Sequence, residues 1–290
     1  MDLGVTATGL LTGVLVGLTG MGGGALAMPL LTLVFGVPPL AAVSTDLVAS
    51  AVTKPIGAAV HLRRRTVDLR LVGLLCLGSL PCAAVGSVLA GTLGERTQDV
   101  LRIVAGAAVV VAAGTLFVRM YLDRTRAPDP PEHPRARPVA TVALGAVAGL
   151  VVGTTSVGSG SIVIVCLLLL QRRLPSARLV GTDLAQAVPL VLVAAGGHLL
   201  VGDVEFGLVA SLLAGSVPGV LAGAVLSART PDVPIRVALG TMLILTGLVL
   251  LGVPVAVAVV PAVAAAGAAA AVLRVGQPTP ARVGDEGGRS

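Results

Sequence analysis

The sequence predicts an all-α integral membrane protein: two inverted repeats of about five helical segments each, plus a C-terminal helix. Three observations predict it. Only 12% of the 290 residues are charged while 55% are apolar, about half the charged share of an ordinary soluble domain. The charges are also segregated. Leu3 to Thr45, Val139 to Gln171, Phe206 to Ala228 and Val237 to Leu273 contain no Asp, Glu, Lys or Arg, and a bilayer-spanning helix needs about 20 such residues. Third, the chain repeats itself halfway along.

The segments follow in order at about 3–19, 24–36, 40–62, 69–93 and 98–121, then 139–156, 160–171, 177–200, 205–228, 234–252 and 254–273. The final charge-free run is split at Gly252-Val253-Pro254, because at 1.5 Å per residue it would reach about 55 Å, too long for one span. The corresponding divisions are a first membrane repeat over 1–121, a cytoplasmic linker over 122–138 and a second repeat over 139–252. An extra transmembrane helix at 253–273 and a disordered cytoplasmic tail at 274–290 complete the chain. Linker and tail are polar and rich in Pro or Gly, a composition that breaks helices and buries little.

Composition excludes several classes. Cys76, Cys82 and Cys166 form no C-x-x-C pair, so neither a disulfide framework nor a structural zinc is expected. The net charge of +6 reads as cytoplasmic loops facing anionic lipid, not as a nucleic-acid surface. Asp2 and the absence of a basic n-region argue against a cleaved signal peptide. No H-E-x-x-H motif, converging carboxylate pair or nucleophile constellation occurs, so the chain is read as not an enzyme, with no cofactor and no metal.

The repeat is the strongest signal. At a shift of 137, Thr45-Asp46-Leu47 falls on Thr182-Asp183-Leu184, His61 on His198, Gly78-Ser79 on Gly215-Ser216 and Pro81 on Pro218. Positions 44–91 carry 16 identities, where this composition alone would give roughly six. At a shift of 136, Gly13, Gly17, Thr19, Gly22 and Gly24 meet Gly149, Gly153, Thr155, Gly158 and Gly160. Matched Asp, His and Pro inside apolar helices are hard to obtain by chance.

Charge sets the expected orientation. If all eleven segments cross and the N-terminus lies outside, 17 of the 20 basic residues fall inside, only Arg96 and Arg102 fall outside, and Lys54 lies within a helix. If the two short segments re-enter instead, the basic residues divide almost evenly. The positive-inside rule prefers the first arrangement. Five crossings per half then make the repeats inverted, with the C-terminus cytoplasmic.

The short segments at 24–36 and 160–171 each follow a glycine cluster, Gly20-Met21-Gly22-Gly23-Gly24 and Gly158-Ser159-Gly160. Broken backbone is tolerated at membrane depth only where protein or a watery cavity satisfies it. A half-helix starting there points N–H groups and a positive dipole end into that cavity, which suits an anion. Matched, interrupted segments in two halves point to a transporter site. Any one of these glycines taken alone is better explained by close helix packing.

These residues resemble a known family. Gly20-Met21-Gly22-Gly23-Gly24 followed by Pro29-Leu30, then Ala42-Val43-Ser44-Thr45-Asp46-Leu47, with a weaker copy downstream, is similar to the TauE/SafE sulfite exporter family from about Gly9 to Leu251. The second copy departs from the pattern at Ser159 and at Val165, where the counterpart of Pro29 would stand. The resemblance implies a plasma-membrane transporter of sulfite or small organosulfur anions.

The expected substrate-binding residues are Gly22, Gly23, Gly24 and Thr45, with Gly158, Ser159, Gly160 and Thr182. Asp46 and Asp183 are the expected coupling residues, because a charge at mid-bilayer costs about 2.5–3.5 kcal/mol or more. Each reads equally well as a proton carrier or as a structural group that caps a broken helix or hydrogen-bonds the facing glycine loop through Thr45 or Thr182. Lys54, the only lysine, reads either as an anion contact and partner of Asp46 or as a side chain snorkelling to the cytoplasm. His61 and His198 are expected at helix ends near water, packed at the interface. The partners expected are a small anionic solute and the lipid bilayer, with no nucleic acid. The expected activity is export of a small anion by alternating access; the alternative is a passive anion channel through the same cavity.

Overall fold

The structure, a computed structural model, describes residues 2–19, 24–63, 65–92, 96–125, 138–157, 163, 167, 170, 176–201, 203–226 and 232–275. Among these residues there is no strand. The first half comprises α1 (Leu3–Thr19), α2 (Gly24–Val34), α3 (Pro39–Arg63), α4 (Leu69–Thr92) and α5 (Arg96–Thr125). The second comprises α6 (Pro138–Thr155), α7 (Ser176–Val201), α8 (Phe206–Leu226) and α9 (Asp232–Leu250), followed by α10 (Val255–Val275). Of the segment expected at 160–171 only Val163, Leu167 and Leu170 are described, all helical.

Local chemistry sets several of these limits. The Asp2 carboxylate accepts the Gly4 N–H at 2.8 Å and caps α1, and Asp68 accepts the N–H groups of Arg70 and Leu71 at 3.1 Å to cap α4. Such caps satisfy donors that a helix start leaves orphaned. Gly252 takes φ 87° beyond the end of α9, a left-handed turn that glycine adopts without steric cost. Pro254 then begins the approach to α10. α5 continues through Thr125, beyond the end expected at 121, because nothing interrupts its helix before Ala127-Pro128.

Five described stretches are long and apolar enough to cross a membrane: Leu69–Thr92, Asp99–Val118, Pro138–Thr155, Arg178–Val201 and Phe206–Gly223. Their outer faces expose Leu77, Val85, Val147, Leu192 and Leu221, the arrangement lipid requires. α3 is absent from that group for a physical reason: it carries Asp46, Lys54, His61 and Arg63. Its first turns are enclosed by protein, while Val52 and Leu62 further along stay exposed. Ala41 through Leu47, nearly two full turns, are all buried, whereas a helix packed on one side would expose part of each turn.

Packing follows glycine and serine rows. A Cβ on Gly9 or Gly13 would strike the backbone of Leu212 or Ser216 on α8, so α1 and α8 lie in backbone contact. Gly145 and Gly149 on α6 meet Leu75 and Ser79 on α4 in the same way. The two sets correspond residue by residue under the sequence repeat. Small residues of this kind let membrane helices approach closely. These glycine rows therefore pack the helices.

The direction of the contacts is informative. α1 runs parallel to α8, and α4 parallel to α6. Two pairs of corresponding helices, α3 with α7 and α5 with α9, run antiparallel. Ser44 near the start of α3 meets His198 near the end of α7, while Thr66 just past α3 meets Gly181 near the start of α7. Likewise Arg102 on α5 reaches the Val249 carbonyl at the end of α9, and Phe117 packs on Gly240. α3 thus packs along α7, α1 along α8, α4 along α6 and α5 along α9.

Candidate functional site

Among the described residues, the buried charged side chains lie on α3 and α7. Thr45 and Asp46 are buried on α3, at 0% and 3% exposure, and Thr182 and Asp183 are fully buried on α7. Lys54 is also buried, at 7%, so it does not snorkel. It lies within electrostatic reach of both Asp46 and Asp183. Helix geometry explains how one cation serves two carboxylates. With Ser44 opposite His198 and Gly57 beside Leu184, Asp183 stands near the level of position 58. Lys54 is then about 6 Å along the axis from Asp183 and about 12 Å from Asp46, on the other side. Adding α7 brings a second buried carboxylate, Asp183, nearer to Lys54 along the axis than Asp46 is.

Asp46 reaches across the halves. The Ser156 hydroxyl, just beyond the end of α6, donates to its carboxylate. Ser156 has φ 60°, and its N–H closes α6 on the Val152 carbonyl at 2.8 Å. Thr155 supports this turn by accepting the Val157 N–H at 3.2 Å. The second glycine cluster begins two residues later. Asp46 thus meets a serine that precedes the second glycine cluster, a contact that the sequence reading did not include.

Thr182 has a different setting. Its hydroxyl accepts the Asp68 N–H at 3.0 Å, so it holds the α3–α4 connection against the start of α7. Gly24 opens α2. Gly22, Gly23, Gly158, Ser159 and Gly160 lie outside the described residues.

His198 corrects an expectation. It is not at a watery boundary but fully buried, with both ring nitrogens engaged. Nε2 lies 2.8 Å from the Gly153 carbonyl and Nδ1 2.8 Å from the Ser44 hydroxyl. A carbonyl can only accept, so Nε2 carries the proton and Nδ1 accepts from Ser44 in the neutral ring. His61, half-buried, instead pairs with Thr66 at 3.0 Å. The repeat places both histidines at matching positions, but Gly181 stands where the second half would need a serine.

Sequence reasoning missed Ser156, Ser44 and the pair Gln186–Ser79. Gln186 is fully buried on α7 and donates to Ser79 on α4 at 2.8 Å. Its spacing of three from Asp183 places both on one helix face, a signal present in the sequence. Among the described residues no three His, Cys, Asp or Glu side chains gather as metal ligands.

Comparison with known proteins gives the family. The family model described as sulfite exporter TauE/SafE matches residues 5–250. The chain belongs to the TauE/SafE family. It is 38% identical over 259 residues, 87% of its length and all of the relative's, to a Bacillus subtilis (strain 168) protein named "Probable membrane transporter protein YjnA". It is 28% identical over 83% of its length, and 96% of the relative's, to a second protein of that organism, "Probable membrane transporter protein YdhB". No solved structure matches. The TauE/SafE membership and the apolar helices make this a membrane-embedded transporter.

Proposed function

We propose that this TauE/SafE protein is a secondary transporter, not an enzyme, that exports a small anion such as sulfite or an organosulfonate by alternating access. The reading is carried by one observation: a buried lysine and two buried carboxylates on two corresponding helices that pack antiparallel. Lys54 supplies the positive charge that an anion needs at membrane depth, and Asp46 and Asp183 supply exchangeable protons at two levels. A charge set of this kind is expensive to bury and is functional by default.

Opposite directions of α3 against α7 and of α5 against α9 support inverted repeats. Arginine-rich connections in the cytoplasm and an external N-terminus fit the same arrangement. Two halves in opposite orientation can open alternately around a fixed central site. The substrate contacts proposed are Lys54, Thr45 and the glycine clusters Gly22–Gly24 and Gly158–Gly160 with Ser159; Thr182 holds the adjoining connection.

Purified protein in proteoliposomes, offered sulfite, sulfate, thiosulfate and a sulfonate under an imposed proton gradient, tests this directly. Expected is gradient-dependent, uphill movement of sulfite or the sulfonate. Downhill flux that ignores the proton gradient would establish the channel instead. Movement of a cation or neutral solute while every anion stayed put would end the anion reading.

A further inference from the structure

We propose that Ser156 is a positioning residue of the transport site: its hydroxyl latches the turn before the second glycine cluster to Asp46 on α3. The inference rests on the proposed function for its consequence in transport, but the latch itself stands on geometry.

The backbone makes the case. Ser156 is 2% exposed and sits at φ 60° immediately past the end of α6. That is the position where a helix ends in a left-handed residue, and glycine is favoured there because a Cβ in that conformation costs about 1–2 kcal/mol. The first half has the favoured residue. Under the shift of 136 that aligns the two glycine clusters, Ser156 corresponds to Gly20. The second half therefore carries a serine at a conformationally unfavourable position, and the structure gives that serine a specific task. Its hydroxyl donates to the buried Asp46 carboxylate of the other half, a charge-assisted bond that is about twice as strong as a neutral one.

Two features are joined by this bond. One is the non-helical backbone leading into Gly158-Ser159-Gly160, and the other is a carboxylate whose direction decides how it meets Lys54. With the latch closed, the turn carrying Val157 is held in the core and Asp46 is held in one orientation. Val157 is accordingly fully buried. The matching position in the first half, Gly20, has no side chain to play this part.

Ser156→Gly is the informative variant because it supplies the residue the left-handed turn favours while removing the hydroxymethyl group that makes the bond. Val157→Cys in a background lacking Cys76, Cys82 and Cys166 reports on the turn by its rate of reaction with a membrane-permeant maleimide. Expected is slow labelling with Ser156, labelling roughly tenfold faster with Ser156→Gly, and a comparable rise with Asp46→Ala. Asp46→Asn, whose carbonyl still accepts the serine proton, should keep labelling slow. In the Asp46→Ala background Ser156→Gly should add nothing, since its partner is already gone. In sulfite transport, Ser156→Gly should raise KM by roughly tenfold with an unchanged or higher melting temperature.

Unchanged labelling in Ser156→Gly, or labelling effects of Ser156→Gly and Asp46→Ala that multiply independently, would overturn the latch. If the wild-type protein moves no sulfite, the functional reading fails and the labelling comparison still decides the latch. Wild-type KM in Ser156→Gly alongside faster labelling would overturn its role in transport.

Discussion

Ser44 and His198 join the two halves at the molecule's centre: the serine hydroxyl near the start of α3 lies 2.8 Å from Nδ1 of a histidine near the end of α7. The other ring nitrogen binds the Gly153 carbonyl of α6, so a single imidazole ties three helices. Its removal leaves a buried hydroxyl and a buried carbonyl without their partner. Each such group costs about 1–3 kcal/mol. His198→Ala should therefore destabilise the protein by about 2–4 kcal/mol in a reversible unfolding measurement in detergent. Leu199→Ala, on the neighbouring exposed face, should change stability little.

The glycine rows predict a sharper contrast. A Cβ at Gly149 would enter the backbone of Ser79, so Gly149→Ala should force α4 and α6 apart and lower the melting temperature in detergent. At Gly114, in the middle of α5, a Cβ meets nothing within 4 Å. Gly114→Ala should be neutral or stabilising by about 0.5–1 kcal/mol, since alanine is the better helix former. Equal losses at both positions would remove the argument that backbone contact holds this pair.

Much of this architecture is legible in the sequence because the bilayer simplifies the grammar. Charge-free runs mark the helices, and Gly252-Val253-Pro254 marks the break before the last one. The repeat goes further, since Gly9, Gly13, Gly78 and Gly215 have counterparts that turn out to be their contacts' counterparts as well. The site is less legible. Asp46 and Asp183 stand out as charges in apolar helices, but which helix faces which is a tertiary fact. Lys54 could not be assigned to two carboxylates from spacing on α3 alone. Ser156 looks unremarkable until its φ angle and its glycine counterpart are compared. His198 is misread because its position near a helix end suggests water, while α3 and α6 close over it.

Topology can be tested without a substrate. Arg65 and Asp203 are exposed residues following α3 and α7, which correspond under the repeat and run antiparallel. In a background lacking Cys76, Cys82 and Cys166, Arg65→Cys should react only with reagent on the cytoplasmic side. Asp203→Cys should react only from outside. Labelling of both from one face would mean that the halves do not cross in opposite senses, and the alternating-access proposal would lose its structural basis.

The coupling role of the carboxylates is tested by Asp46→Asn and Asp183→Asn. Asparagine preserves an acceptor and similar volume but cannot take up or release a proton. If these groups carry protons, the variants should stay folded and still bind sulfite, while transport becomes independent of the imposed proton gradient. Retention of gradient-driven transport in the double variant would leave both aspartates structural.

Lys54 separates charge balance from anion contact. Lys54→Met keeps an unbranched side chain but leaves two buried carboxylates without their cation, a change that costs roughly 3–5 kcal/mol when a buried pair is broken. The expected single variant is poorly folded, which by itself would say nothing about substrate. Adding Asp183→Asn removes one of the uncompensated charges, so the double variant should recover much of the lost stability. Anion binding should not recover with it, because the positive charge is still missing. Asp183→Asn alone, with Lys54 retained, should bind sulfite. The decisive comparison is sulfite affinity in two folded proteins that differ only at position 54, both carrying Asp183→Asn. Equal affinity would show that Lys54 balances the carboxylates and does not meet the anion. Loss of binding in the methionine variant would place the lysine against the substrate, with Asp46 and Asp183 competing for the same cation at successive stages of the cycle.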